Sequence, residues 1–266
     1  MGRLDGKVAS VLGAASKDNM GQVIARRFAA EGARVVVSGR HEAPLRELAA
    51  DIDGDWVCCD ITQRESIAGM FDTIVARHGR VDIALNATGW GLLKSLEETT
   101  VDELERMVAL QFKGPFWWLQ KLVQVMGAHG GSIIQISSAT ATIMLDNHAA
   151  YMGTKAGTDH LVRCVANEYG DKGIRANSIS PGLTDSPMTA DAMQSPSLVE
   201  TFRKCYPLGR IGTTADIAAA AVYLASDECF MTGENLQVNG GLRLRRNPRA
   251  HELYEAAVAA GEIPAA

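Results

Sequence analysis

The sequence places a tyrosine and a lysine, Tyr151 and Lys155, at a spacing that suits proton transfer. On a helix, residues i and i+4 share one face, so the phenol and the ammonium would be neighbours. A phenol has a reference pKa of about 10 and is a poor catalyst near neutral pH, but an adjacent cation lowers such a pKa by about one to three units. The pair therefore predicts a general acid/base, although the same spacing also occurs on ordinary helix surfaces.

A serine precedes this pair at the end of a strongly apolar segment. Ser138 follows the run from Ile133 to Ile136, which predicts a buried β-strand, so the serine would lie at the carboxyl end of that strand. There its hydroxyl could polarise a substrate carbonyl while Tyr151 gives or takes the proton. A strand-terminating turn is the alternative interpretation of Ser138.

A glycine-containing loop near the N-terminus predicts a phosphate site. The first predicted strand ends at Gly13, and Gly21 opens an apolar-periodic helix. Glycines let the backbone approach a pyrophosphate, which then lies at the positive end of the helix; a plain turn would also explain the pattern. The residues of this loop predicted to contact a cofactor are Gly13, Ser16, Lys17, Asn19, Met20 and Gly21.

The end of the second predicted strand indicates which dinucleotide binds. In dinucleotide folds an acid there contacts a free ribose 2′-hydroxyl, whereas an arginine accommodates a 2′-phosphate. Here the strand leads into Gly39 and Arg40 without an acid, and Lys17 supplies a second cation, which favours NADP(H) over NAD(H). After the third strand, Asp60 and Ile61 are predicted to lie near the adenine, where Asp60 accepts from the amino group or caps the next helix.

The elements that must position these residues alternate along the chain. Short β-branched runs alternate with amphipathic stretches, which is typical of βαβ units. Seven strands are predicted, near 7–12, 34–38, 56–58, 83–85, 132–136, 176–179 and 235–238. Helices are predicted to begin near Gly21, Glu42, Gln63, Val101, Ala149 and Thr214, some behind caps such as Thr100 and Thr213. No linker or repeat is visible, so we expect a single α/β domain with a doubly wound, mostly parallel sheet.

Two segments fit the alternation poorly. Residues 182–206 follow the sixth strand, where open α/β sheets bind ligands, and are a candidate substrate lid. Residues 243–266 are assigned as a C-terminal tail outside the main domain, 1–242, and their apolar pattern predicts a short helix over the active site or a subunit interface. The basic residues of the tail are expected to face solvent; they are Arg243, Arg245, Arg246 and Arg249.

Composition and charge argue against several protein classes. The net charge is −5, which does not suggest a nucleic-acid surface. The five cysteines are odd in number and contain no Cys-x-x-Cys, so neither a disulfide framework nor a zinc site is indicated. No apolar run is long enough to cross a membrane, and the histidines lack metal-ligand spacing. We therefore expect a cytoplasmic protein that binds small molecules, with no metal and no nucleic-acid or membrane partner.

Taken together, these residues resemble those of the short-chain dehydrogenase/reductase family, which has a Rossmann-like fold. The resemblance covers about residues 4–242. Besides Ser138, Tyr151 and Lys155 it rests on Asn86-Ala87-Thr88-Gly89, Asn177 with Pro181-Gly182, Pro207-Leu208-Gly209-Arg210, Thr232-Gly233 and Val238-Asn239-Gly240-Gly241. In this order and spacing the motifs are very specific.

The resemblance implies roles for these residues. Tyr151 would be the general acid/base, Lys155 would also bind the nicotinamide ribose, and Ser138 would orient the carbonyl while a hydride moves on the nicotinamide. Cofactor contacts implied outside the phosphate loop are Asn86, Ala87, Thr88, Gly89, Tyr151, Lys155, Pro181, Gly182 and Thr184. Family members commonly assemble through the helices that contain Phe116 and Tyr151, so a homotetramer or homodimer is expected.

Two departures from the family pattern matter. Gly13 and Gly21 are separated by seven residues, with Asn19 where a middle glycine would fall, a spacing that resembles the enoyl-thioester reductases of the superfamily. Those enzymes, however, separate Tyr and Lys by more residues than this chain does. Gln111 aligns with the family's catalytic Asn, which helps to hold a water linking the Lys to solvent. Gln makes similar hydrogen bonds but is one methylene longer, so the proton relay is an open question.

The substrate side is predicted from residues close to the catalytic group in sequence. Four residues are assigned to it: Trp90, Met144, His148 and Met188. Leu145, Met193 and Tyr206 would add apolar surface, although core packing explains each residue equally well. This set favours a fairly large apolar or aromatic ketone or alcohol. The alternatives to carbonyl reduction or alcohol oxidation are an enoyl reductase and a catalytically silent, cofactor-sensing protein of the same fold.

Overall fold

A computed structural model describes residues 2–264 and contains a sheet of seven parallel strands. The strands in chain order are β1 (Val8–Leu12), β2 (Arg34–Gly39), β3 (Asp55–Cys58), β4 (Ile83–Asn86), β5 (Gly131–Ile136), β6 (Ile174–Pro181), β7 (Thr184–Asp185), β8 (Gly212–Thr213) and β9 (Asn235–Val238). The sheet has the order β3-β2-β1-β4-β5-β6-β9, and β7 pairs with β8 separately. The predicted seven-stranded sheet is confirmed, and it is wholly rather than mostly parallel.

The helices in chain order are α1 (Met20–Ala30), α2 (Glu42–Asp51), α3 (Arg64–His78), α4 (Val101–Val108), α5 (Gly114–Met126), α6 (Ala149–Tyr169), α7 (Ala190–Met193), α8 (Pro196–Cys205), α9 (Thr214–Ala225) and α10 (Ala250–Ala259). The six helices whose starts are predicted, α1, α2, α3, α4, α6 and α9, begin within one residue of the predicted positions, and the part of the chain that the structure describes contains four others. Thr100 and Thr213 each complete a capping box, with Glu103 and Asp216. Within residues 2–264, no helix is both long enough and apolar enough to cross a membrane.

Helices cover both faces of the sheet because the strands are apolar on both faces. Adjacent residues of β1 enter opposite layers: Val11 packs in the cluster of α1, α2 and α9, and Leu12 in the cluster of α3, α5 and α6. Phe28 anchors the first layer, and Phe71 and Trp118 anchor the second; all three are fully buried. The result is the doubly wound arrangement expected from the sequence.

The strand order reverses at β1, which lies between β2 and β4. At such a point the loops that follow the neighbouring strands diverge, and a crevice opens at the carboxyl ends of the strands. The segments after β1, β4, β5 and β6 carry Gly13, Thr88, Ser138 and Gly182 respectively. The topology therefore brings residues from distant parts of the sequence to one edge of the sheet.

The segment 182–206 contains α7 and α8, and α10 of the tail packs against α8. Leu253 of α10 lies against the apolar cluster that contains Phe202. Glu262 accepts hydrogen bonds from the backbone N–H of Ser197 at 3.0 Å and from its hydroxyl at 2.8 Å, at the start of α8. Two arginines of the tail are ion-paired, Arg246 with Glu252 at 2.6 Å and Arg249 with Asp146 at 3.1 Å. All four arginines of the tail are exposed, as expected, and two of them also form these surface ion pairs.

Candidate active site

Asn19 fixes the loop after β1. It is the N-cap of α1, and its side-chain oxygen accepts from the Gln22 N–H at 2.9 Å. Its Nδ2 donates to the Gly13 carbonyl at 2.8 Å, and the Gln22 side chain donates to the Ala14 carbonyl at 3.1 Å. Asn19, Met20 and Gly21 line the cleft, so the positive end of α1 faces the space in which an anion would be stabilised. Side-chain hydrogen bonds thus replace the family's middle glycine.

The two remaining glycines of this loop are required by close contacts. Gly13 has φ +99°, and a Cβ on it would lie 2.7 Å from the Ala87 carbonyl carbon. A Cβ on Gly21 would lie 2.5 Å from the Gly13 carbonyl oxygen. Both distances are far below a normal carbon contact. Glycine at position 13 therefore lets the loop after β4 come close to the loop after β1, and glycine at position 21 lets the start of α1 come close to Gly13.

The half of the cleft that follows β2 is lined by Ser16, Arg40 and His41. Arg40 is exposed and follows the strand directly, as predicted. Lys17 is also exposed but does not line the cleft, so the second cation expected there is absent from its wall in the described structure. The imidazole of His41 is the other ionisable basic group that lines this half.

Asp60 and Ile61 line the same half of the cleft. One carboxylate oxygen of Asp60 accepts from the Thr62 N–H at 2.9 Å and from the Thr62 hydroxyl at 2.8 Å. The N-cap of α3 is Gln63, so Asp60 stabilises the turn before the helix and does not cap the helix itself.

Asn86, at the end of β4, is one of the residues for which the sequence predicts a cofactor contact. The residue is completely buried and does not line the cleft. Its Nδ2 donates to Gln135 at 3.0 Å, and its Oδ1 accepts from the Thr88 N–H at 3.0 Å and the Thr88 hydroxyl at 2.8 Å. Asn86 therefore shapes the turn that presents Ala87, Thr88 and Gly89, which do line the cleft.

Ser138, Tyr151 and Lys155 line one end of the cleft together, as expected from their spacing. Ser138 follows β5, and its hydroxyl lies 2.9 Å from the Thr140 hydroxyl. Lys155 is 4% exposed, and its ammonium donates to the Ile136 carbonyl at 2.8 Å and lies 5.5 Å from the centre of the Tyr151 ring. Pro181, Gly182 and Thr184 complete this end of the cleft.

The pKa of Tyr151 differs from the sequence expectation. Burial raises the pKa of the phenol to about 12, while its hydrogen bond with Ser138 lowers the pKa and the charge of Asp159 raises it. Burial lowers the pKa of the Lys155 ammonium to about 8, and Asp159 acts against that shift. In this state the phenol carries its proton at neutral pH, because desolvation outweighs the neighbouring cation.

Gln111 lies in a π-helical turn, Ala109–Lys113, that joins α4 to α5. Its side chain is buried and spans two parts of the site: Oε1 accepts from the Trp90 N–H at 3.2 Å, and Nε2 donates to the Thr154 hydroxyl at 3.1 Å. A Cβ on Gly89 would lie 3.1 Å from Gln111 Oε1 and 3.8 Å from Lys155 Nζ. The amide of Gln111 and the ammonium of Lys155 therefore face one small space beside Gly89.

His148 contacts the catalytic tyrosine directly. Its ring stacks on the Tyr151 ring, with centres 4.2 Å apart and planes 25° apart. Nδ1 lies 2.7 Å from the Leu92 carbonyl, so this nitrogen must carry the proton and Nε2 is an acceptor in the neutral ring. Burial lowers the pKa of His148, which favours that neutral form.

The other residues assigned to the substrate side are distributed unevenly. Trp90 and Met188 line the cleft, and the Arg106 guanidinium lies 4.1 Å from the Trp90 ring centre. Met144 is 62% exposed and does not line the cleft; its carbonyl accepts from the tail residue Asn247 at 3.0 Å. Tyr206 is 2% exposed and packs in an apolar cluster, so the alternative of core packing describes it, and the assignment of Met144 to the substrate side stays a prediction.

Sequence reasoning missed three residues of α6 that contact Gln111 or follow Lys155 by one turn. Thr154 holds Gln111, the Thr158 hydroxyl donates to the Gln111 carbonyl, and Asp159 is a buried acid one turn after Lys155. The i+4 spacing of Asp159 from Lys155 was visible in the sequence. Its burial was not, because an acid on a helix is usually exposed.

The two ends of the cleft fit the two ends of a nicotinamide dinucleotide. Both ends share Asn19, Ala87, Thr88 and Gly89, so the cleft is continuous from Arg40 to the catalytic group. A helix N-terminus and a cation suit phosphates, and glycines at close approaches leave room for a backbone-bound ligand. Among residues 2–264, no group of three or more His, Cys, Asp or Glu side chains is arranged to hold a metal ion.

Sequence comparisons place the chain among enzymes of known type. A family model described as enoyl-(acyl carrier protein) reductase matches residues 13–243. D-threitol dehydrogenase of Mycolicibacterium smegmatis is 34% identical over 250 residues, which cover 91% of this chain and 95% of that protein. Trans-4-hydroxycyclohexanecarboxylate dehydrogenase of Sinomonas cyclohexanicum is 36% identical over 259 residues, which cover 93% and 96%.

Solved structures agree with these relatives. A short-chain type dehydrogenase/reductase from Mycobacterium ulcerans has a TM-score of 0.88 and 29% identity, with 92% of each chain covered. A gluconate 5-dehydrogenase from Burkholderia cenocepacia, in complex with NADP and tartrate, has a TM-score of 0.86 and 27% identity, with 90% of this chain and 96% of that chain covered.

Proposed function

The chain belongs to the short-chain dehydrogenase/reductase family and is an NAD(P)-dependent oxidoreductase acting on CH–OH and C=O groups, and we propose that it uses NADP(H) on a fairly large apolar or aromatic substrate. The proposal that Tyr151, Lys155 and Ser138 do the chemistry is carried by one observation. The three side chains meet at the end of the cleft that adjoins the dinucleotide loops.

In the proposed reaction the Ser138 hydroxyl donates a hydrogen bond to the substrate oxygen and orients it. The Tyr151 phenol gives its proton to that oxygen during reduction and takes it back during alcohol oxidation. The bound nicotinamide supplies or accepts the hydride. The buried Lys155 ammonium would hold the ribose of the cofactor and add positive charge beside the phenol, and Gln111 would help to place a water that links Lys155 to solvent.

The preference for NADP(H) is supported by the wall of the cleft after β2. Arg40 and His41 lie there. Neither Gly39 nor its neighbours in this wall provide an acid that could bind a free ribose 2′-hydroxyl. The neighbour from Burkholderia cenocepacia was solved with NADP. The remaining proposed cofactor contacts are Gly13, Ser16, Asn19, Met20, Gly21, Asp60, Ile61, Ala87, Thr88, Gly89, Pro181, Gly182 and Thr184.

The substrate proposal rests on the side chains that flank the catalytic end. Trp90 and Met188 present apolar surface, and a neutral His148 stacks on Tyr151. A cyclic ketone or alcohol would fit this surface better than a linear polyol, and the relative from Sinomonas cyclohexanicum is named for a cyclic alcohol.

We also propose that the protein is a homo-oligomer whose subunits contact each other through the exposed Phe116 of α5. A cytoplasmic location is proposed as well, because it suits five free cysteines.

A panel assay tests the proposed function. NADPH and NADP⁺ are followed by absorbance with cyclic ketones, cyclic alcohols, linear polyols and an enoyl thioester. The expected result is turnover of a cyclic ketone and its alcohol with at least tenfold higher kcat/KM than of the polyol, a difference of about 1.4 kcal/mol. Turnover of the enoyl thioester alone, or tight cofactor binding without turnover of any class, would contradict the proposal and favour an enoyl reductase or a sensing protein.

A further inference from the structure

Asp159 is a buried acid that the proposed reaction does not use. It lies on α6 one turn after Lys155 and is 6% exposed. Its helix packs on the sheet, so the carboxylate faces the carboxyl ends of the central strands and not solvent. A buried acid is costly unless it is paired and hydrogen-bonded, so this carboxylate needs a physical reason to be there.

Hydrogen bonds tie Asp159 to two strands. Its Oδ2 accepts from the Ser137 hydroxyl at 2.8 Å, directly before the catalytic Ser138, and from Asn235 Nδ2 at 2.6 Å, at the start of β9. Asn235 in turn accepts from Gln237 at 2.8 Å. The second oxygen, Oδ1, is buried and has no hydrogen-bond partner among the described residues. The carboxylate is therefore held through one oxygen, between the segment after β5 and the start of β9.

We propose that Asp159 is a positioning residue that anchors the end of β5 beside Ser138 and supplies the buried negative charge against which Lys155 and Tyr151 titrate. The proposal rests on the proposed function, because it assigns Asp159 to the same acid/base group. It goes beyond that function because it assigns control of the working pH range to a residue that touches neither substrate nor cofactor.

The charge of Asp159 shifts the pKa values of Lys155 and Tyr151 in the same direction. The charge of Asp159 raises the pKa of Lys155 and also raises the pKa of Tyr151, in each case beside the larger effect of burial. Burial raises the pKa of Asp159, and Ser178, Ser137 and Lys155 lower it. The groups that face Asp159 from the packed strands are the neutral side chains of Ser137 on the end of β5, Ser178 on β6 and Asn235 on β9. The charged neighbour, Lys155, is on the same helix.

Removal of this charge should therefore move the pH dependence in one direction. Both Tyr151 and Lys155 lose a group that raises their pKa, so in Asp159→Asn the pH–rate profile of alcohol oxidation should shift to lower pH by about one unit. Ser180→Ala is the matched control, because it removes the hydrogen bond that the Ser180 hydroxyl donates to the Ser138 carbonyl at 3.0 Å and leaves the hydrogen bonds of the Asp159 carboxylate in place. It should lower kcat through the loosened backbone at Ser138 and leave the position of the profile unchanged.

A second measurement does not depend on turnover. In protein labelled with ¹³C at the tyrosine ζ carbon, the Tyr151 resonance is assigned with Tyr151→Phe and titrated by NMR. Its pKa should fall in Asp159→Asn and not in Ser180→Ala. If the parent enzyme turns over no alcohol, the proposed function fails while this titration still tests Asp159.

Asp159→Ser provides a second neutral side chain, with room for a water, in case Asp159→Asn does not fold; melting curves identify that case. A parent-like Tyr151 pKa and pH–rate profile in a folded neutral variant would overturn the proposal. An equal shift in Ser180→Ala would also overturn it, because the effect would then come from the loosened backbone at Ser138 and not from the charge.

Discussion

Burial dominates the acid/base group at the residue scale. The i, i+4 spacing correctly brings Lys155 beside Tyr151, but the ammonium donates to the Ile136 carbonyl and lies 5.5 Å from the centre of the tyrosine ring. Burial raises the pKa of the Tyr151 phenol to about 12, and its hydrogen bond with Ser138 acts against that shift. A phenol that keeps its proton can donate it to a carbonyl oxygen.

Tyr151→Phe should lower kcat by about 10² to 10⁴, the usual contribution of general acid–base catalysis, and leave NADPH binding within about threefold. Steady-state kinetics and fluorescence titration with NADPH measure the two effects. Tyr169→Phe, at the far end of α6, is a control that removes the same hydroxyl outside the cleft. A Tyr151→Phe enzyme with parent-like kcat would remove Tyr151 from the proposed role.

Arg40→Ala should weaken NADPH binding at least tenfold and change NADH binding much less, because a charge-assisted hydrogen bond contributes about 1.5 to 3 kcal/mol. Arg46→Ala, an exposed arginine on α2, is the control for a loss of positive charge alone. An acid placed at Gly39 would be a poor test, since a Cβ there would lie 2.6 Å from the Ala15 Cβ. Equal affinities of the parent for NADPH and NADH would contradict the assignment of Arg40.

At the scale of elements, the sequence predicts what depends on local periodicity and misses what depends on distant partners. The strands, the caps at Thr100 and Thr213, and the position of Ser138 after β5 follow from alternation and turn chemistry. The π-helical turn at Ala109–Lys113 contains no Gly or Pro, so the sequence gives no sign that the helix is irregular there. Asp159 lies within reach of β5 and β9 only because the sheet brings those strands together.

The π-helical turn explains how a glutamine serves at position 111. The turn adds a residue to the helix and directs the longer amide into the gap between the Trp90 N–H and Thr154. The Gln111 carbonyl accepts from the Thr158 hydroxyl, so the backbone of the turn is also anchored to α6. Both ends of the amide are therefore held, and the side chain connects the loop after β4 to the catalytic helix.

Gln111→Leu should lower kcat about tenfold and destabilise the fold by about 1 to 3 kcal/mol, because the Trp90 N–H and the Thr154 hydroxyl lose a buried partner. Gln111→Asn is too short to reach both groups and should fall between Leu and the parent. Gln120→Leu, on the exposed face of α5, controls for the same change in helix propensity. Kinetics and urea unfolding are the measurements. A Gln111→Leu enzyme equal to the parent in both would show that Gln111 neither supports the relay nor braces the site.

At the scale of the whole molecule, the tail connects the segment before α6 to the start of α8. Arg249 and the Ala250 N–H bind Asp146, which lies two residues before His148 in the sequence. Glu262 binds Ser197 at the start of α8, within the candidate lid. The residues that line the cleft lie between positions 13 and 189, so we expect the tail to act on the segments that it contacts and not on the cofactor loops.

Deletion of residues 247–266 should therefore raise KM for the substrate severalfold and leave NADPH affinity unchanged. The deletion removes ion pairs worth about 0 to 1 kcal/mol each and hydrogen bonds worth about 1 kcal/mol each, and it exposes the apolar surface that Leu253 covers. A loss of a few kcal/mol lowers Tm by about 2 to 4 °C per kcal/mol in a protein of this size. Arg249→Ala, which breaks only the contact with Asp146, should show a smaller part of both effects. If the truncated enzyme keeps the parent's KM and Tm, the tail is a surface appendage and the lid is held in place by α8 and the core around Phe202 without it.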